Sequence, residues 1–140
     1  MKPLLAGVFL LSSALSAQAP SEAQLQPIGT TKQLMLDVIH PASNSVLLAI
    51  NRGGPTDDKE WADVRRGALT LAESGNLLIM RNRAATWVAD ARLLMDAGSA
   101  AYKAADAKDV RALVATGDRI DASCTACHKQ YRPAIFPASR

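Results

Sequence analysis

Aromatic side chains make up only 4% of this 140-residue chain. They are Phe9, Trp61, Trp87, Tyr102, Tyr131 and Phe136. A core built from so few large rings, with alanine in their place, is under-filled unless another apolar body joins it. There are two cysteines and two histidines. Cys124 and Cys127 lie three residues apart, so no disulfide framework can tie distant segments together. A zinc site at the two thiols would need further ligands, and beyond His128 the only other histidine is His40. The excess of positive charge is small, +3. With no basic run and no basic–aromatic interleaving, a nucleic-acid partner is not expected. No segment shows the strict alternation of a half-buried strand. No nucleophile and general-base constellation is present either, so the chain is not read as an enzyme.

The first residues have the form of a secretory signal. Lys2 supplies the charged end, Pro3 to Leu15 the apolar run, and Ala17-Gln18-Ala19 a small-x-small cleavage site. Residues 1–19 are therefore read as a leader and 20–140 as one domain. Pro20 is a poor residue to follow a cut, which leaves cleavage after Ala17 or Ala23 open. The apolar run falls short of the ~20 residues needed to span a bilayer, so cleavage and export to the periplasm are expected, with no stable membrane span.

Beyond a polar lead-in, apolar positions recur at helical spacing. Thr30 or Thr31 can cap a first helix carrying Leu34, Met35, Val38 and Ile39. Pro41 is expected to break or kink it before Val46, Leu47 and Ile50. Residues 51–58 contain Gly53-Gly54-Pro55 and read as a loop, with Asp57 or Asp58 capping a second helix. That helix carries Trp61, Val64, Ala68, Leu71, Ala72, Gly75, Leu78 and Ile79. A third carries Trp87, Ala91, Leu94, Met95, Gly98, Ala101, Tyr102 and Ala105. A fourth runs from Val110 to Tyr131 and ends at Pro133. Four amphipathic helices with short connections predict an all-α, up-down four-helix bundle. Gly75, Gly98 and Gly117 suit close approach of helices or of a flat ring, or are simply tolerated.

The chemistry concentrates in the fourth helix, at Cys124-Thr125-Ala126-Cys127-His128. Cys-x-x-Cys-His is the attachment signature of c-type haem. Positions i and i+3 or i+4 share a helix face, so two thiols can meet the vinyl edge of one porphyrin while His128 approaches the iron. A redox dithiol uses the same spacing, but at a helix N-terminus, where the dipole favours thiolate. Here the pair lies toward the C-terminal end, where the dipole opposes it. Cofactor-binding is thus read at Cys124 and Cys127, and iron ligation at His128. One covalent haem c is the expected cofactor, and the composition agrees, since a porphyrin would supply the missing apolar bulk.

Cys-x-x-Cys-His-x-x-Tyr-Arg near the end of an exported chain of this size resembles the class II c-type cytochromes, the cytochrome c prime family with its low-spin relatives. The specific part of the resemblance is Cys124 to Arg132. It implies a haem within a four-helix bundle and places Arg132 near the haem edge or a propionate. It implies electron transfer with a redox partner protein when a methionine of the first helix holds the far side of the iron. It implies binding of nitric oxide or carbon monoxide when that side is open. Family members often pair through their first two helices, so a homodimer is compatible with the resemblance. At ~1.5 Å rise per residue, Met35 and His128 fall at a similar height, as does Met80. Met95 falls further away, as does His40 by about 7.5 Å. Met35 lies mid-stripe and is the expected distal ligand. Aligning Lys32-Gln33 with the family's basic-Gln pair would instead put Leu36 there, and that register stays open.

Overall fold

A computed structural model describes residues 26–135. The expected leader and cleavage site, Phe136 and the last residues of the tail lie outside the described residues. All regular structure among the described residues is helical. The first rod comprises α1 (Thr31–Leu34), a π-turn (Met35–Ile39) and α2 (His40–Asn51). The second and third are α3 (Asp58–Arg81) and α4 (Ala85–Asp106). The fourth is α5 (Val110–Val114) followed by α6 (Gly117–Tyr131).

The caps account for where the rods start. Thr30 accepts from the Gln33 amide while Gln33 Oε1 accepts from the Thr30 amide at 2.9 Å, a reciprocal capping box. Asp57 accepts from Glu60 N and Asp109 from Ala112 N, each satisfying a donor that the first turn leaves without a partner. Gly53 and Gly54 have φ of 90° and 110°, in the region open to glycine, and turn the chain between the first two rods.

Contacts at the rod ends give the topology. Arg81, closing α3, donates to Gly29 O, just before α1. Thr86, opening α4, meets the Tyr131 hydroxyl at the end of α6 at 3.0 Å. At the other end Lys108 donates to Asp58 at 2.7 Å, and Val110 packs against Gly54. Consecutive rods therefore alternate in direction, and the bundle has two distinct ends.

Two local features differ from the sequence-based expectation. Pro41 does not break the first rod, which continues through it. The proline sits in the first turn of α2, and the chain absorbs it one turn earlier by widening into the π-turn, where the His40 amide donates to Met35 O. A wider turn suits the missing donor and the ring's clash with the preceding carbonyls. The fourth rod is split at Ala115–Thr116, where Thr116 Oγ1 donates to Leu113 O at 2.6 Å. Val110 and Val114, in the short segment before the split, stand 38% and 44% exposed.

The core runs from Leu34 to Ile120 and is rich in alanine: Ala68, Ala91, Ala97, Ala101, Ala104 and Ala105 are all buried. Small residues bring α3 and α4 close together. A Cβ at Gly98 would lie 2.5 Å from Ala72 N, a backbone atom that cannot swing aside, and a Cβ at Gly75 would run into the Met95 side chain. Gly117 meets only ordinary contact with Ile50, so close approach explains Gly75 and Gly98 and not Gly117. Gly98→Ala should accordingly destabilise. The roughly 1 kcal/mol gained in helix propensity is outweighed by overpacking of about 1–3 kcal/mol. Urea unfolding that shows a net gain would contradict this packing.

Candidate functional site

One end of the bundle opens into two adjoining cavities. The larger, ≈ 520 Å³, is lined by residues including Thr31, Lys32, Met35, Trp87, His128 and Tyr131. That volume lies within the range of about 300–1,000 Å³ usual for ligand and cofactor sites. The smaller, ≈ 270 Å³, reaches inward past Ile39, Leu78, Asp90, Leu94 and Cys124. Met35, Leu36, Cys127, His128 and Arg132 line both.

The walls follow from the sequence. The motif occupies the last turns of α6, where an i, i+3 and i+4 spacing turns Cys124, Cys127 and His128 toward the gap between α6 and the first rod. Trp87 is buried at the start of α4. Its indole Nε1 donates to Leu78 O at 2.8 Å, which fixes the ring. Tyr131 meets it edge-on, with centroids 4.8 Å apart. Trp87 and Tyr131 thus form an apolar wall with its polar atoms satisfied. Opposite, the π-turn carries Met35, half-buried, and Leu36, 57% exposed.

Cys124, Cys127, His128, Met35, Leu36 and Arg132, the residues expected at the site, each line one or both cavities. Met35 and Leu36 line both, so the two registers remain alternatives in space as in sequence. His40 lines the smaller cavity, its Nε2 3.5 Å from Asn44 Nδ2. Neither Met80 nor Met95 lines either cavity. Met95 instead packs over Gly75. Arg132 caps α6, is exposed and lines both cavities. The sequence pattern does not single out Trp87, Tyr131 or Asp90 as site residues. Trp87 and Asp90 share one face of α4 at i and i+3 with Ala91 and Leu94. An acid within that apolar stripe is the signal that could reveal Asp90.

The electrostatics separate the chemistries open to a Cys-x-x-Cys pair. Burial raises the Cys124 thiol. Burial, then the charges of Asp90 and Cys124, push Cys127 up to about 11. Burial also lowers the basicity of His128, with Arg132 adding to the effect. Both sulfurs are therefore protonated thiols at neutral pH and neither is in a disulfide. A redox dithiol needs thiolate near neutral pH, which burial of Cys124 and Cys127 disfavours. Two thiols and a neutral imidazole on one face of an apolar cavity fit covalent haem. In the unmodified chain, alkylation of Cys127 should accelerate with pH up through about 11. A rate that levels off near neutral pH would instead mark a reactive dithiol.

Comparison with protein-family models, with curated proteins and with solved structures finds no match to this chain.

Proposed function

We infer that this is an exported electron-transfer protein that carries one covalent haem c in the cavities at the end of its bundle. One observation carries the reading: Cys124, Cys127 and His128 line the same apolar space, facing Met35 across it. Cys124 and Cys127 would form the two thioether attachments, and His128 would offer its imidazole to the iron. Met35, on the opposing rod, would offer its sulfur to the same iron. Trp87 and Tyr131 keep water from one side, and Arg132 supplies a cation for a propionate at the rim. Haem, when bound, supplies one-electron chemistry between ferric and ferrous iron. A redox partner protein would deliver and receive that electron. Among the described residues no helix is long and apolar enough to cross a membrane.

A second reading rests on Leu36, which lines both cavities as Met35 does. If Leu36 covers the iron, the site is open to nitric oxide or carbon monoxide. The visible spectrum of protein produced with periplasmic haem attachment separates the two. Sharp reduced bands unmoved by carbon monoxide are expected. A broad high-spin spectrum that shifts on adding the gas would replace electron transfer with gas binding.

A further inference from the structure

Asp90 is the one carboxylate among the described residues on the wall of the smaller cavity. Its Oδ2 is buried and has no hydrogen-bond partner among the described residues. The neighbouring polar side chains on that wall are differently placed. Ser43 Oγ donates to His40 O at 2.9 Å, and Ser123 Oγ donates to Ile120 O at 2.7 Å. Arg132, a cation on the same wall, is exposed. A carboxylate oxygen removed from water without a partner costs stability. It sits one helical turn after Trp87, on a face where Ala91 and Leu94 are buried, so an apolar residue there would pack the bundle better. A local rule broken at the edge of a cavity points to function rather than folding.

We propose that Asp90 tunes the reduction potential of the group held by Cys124, Cys127 and His128, lowering it by placing a carboxylate on the wall these residues share. The inference rests on the haem reading. Ferric haem carries one positive charge more than ferrous haem. A nearby carboxylate with one oxygen shut off from water therefore favours the oxidised form. Interactions beyond the ligands themselves commonly adjust a metal in this way. Exposed acids elsewhere on the bundle are screened by salt and act weakly at that distance.

Two measurements on Asp90→Asn, which keeps the shape and removes the charge, test the assignment. In the haem-loaded protein the midpoint potential should shift upward, while the exposed control Asp118→Asn leaves it near the wild-type value. In the unmodified chain, thermal unfolding of Asp90→Asn should occur at the wild-type temperature or above, because no partner is lost. An unmoved potential in a haem-loaded variant overturns the role of Asp90 and leaves the haem reading standing. A lower unfolding temperature in the unmodified chain also overturns it, by showing that the carboxylate holds the fold together. A wild-type protein that acquires no covalent haem overturns both.

Discussion

Met35→Ala should turn a protein indifferent to carbon monoxide into one that binds it. Met35 begins the π-turn and lines both cavities opposite His128. A thioether on a flexible stem would suit the far side of a haem iron held by the His128 imidazole. Truncation to alanine removes the sulfur but not the cavity. The reduced spectrum should then lose its sharp low-spin bands and shift with the gas. The potential should also change, since axial ligand identity is a principal lever on it. Leu36→Ala, one residue further on and 57% exposed, should leave the spectrum nearly unchanged. The reverse pair of results, with Met35→Ala silent and Leu36→Ala altering gas affinity, assigns the distal position to Leu36.

Trp87→Ala should cost more stability than any other single truncation near the site, about 3–5 kcal/mol for a buried tryptophan. Trp87 is buried, donates to Leu78 O and meets Tyr131 edge-on. Its removal deletes one of the two buried indoles in a core that has few rings, joins the space it leaves to the larger cavity, and frees the end of α6 where Tyr131 and the motif lie. Chemical denaturation of the unmodified chain should register the loss, and thermal unfolding should move down with it. Trp87→Phe keeps most of the bulk and loses the donated hydrogen bond, worth about 0.5–1.5 kcal/mol, so its loss should be clearly smaller. A cost near zero for Trp87→Ala would mean that the wall between α3, α4 and α6 is not packed as described.

Much of this arrangement is legible in the amino-acid sequence. The helical stripes, the glycine loop before α3 and the caps at Thr30 and Asp57 are local signals, and local sequence sets them. The i, i+3, i+4 geometry of Cys124, Cys127 and His128 depends only on their being helical. Elsewhere local rules are overridden. Pro41 forbids an ordinary helical turn around it but does not choose between a kink and a wider turn; packing of Ile39 and Ala42 into the core accompanies the latter. The split at Thr116 turns on a side-chain bond to Leu113 that composition does not announce. Ala97 and Ala104 are buried although periodicity alone does not place them inward, because alanine fits a helix surface as readily as a core. Asp90 escapes a reading by pattern because an acid in an amphipathic helix ordinarily faces water. Whether Met35 or Leu36 would face a bound haem is open in the sequence for a simple reason: adjacent residues on one turn both reach the cavity.

The central claim is a covalent bond between this chain and haem, and the intact mass of the denatured protein tests it most directly. The full chain should be produced in a periplasm equipped for haem attachment, unfolded in acid and weighed. The expected mass is that of the processed chain plus one haem, surviving denaturation, with Cys124→Ala and Cys127→Ala each deficient in retention and the double variant retaining none. A wild-type mass equal to the bare chain, or haem that separates on unfolding, would contradict the account.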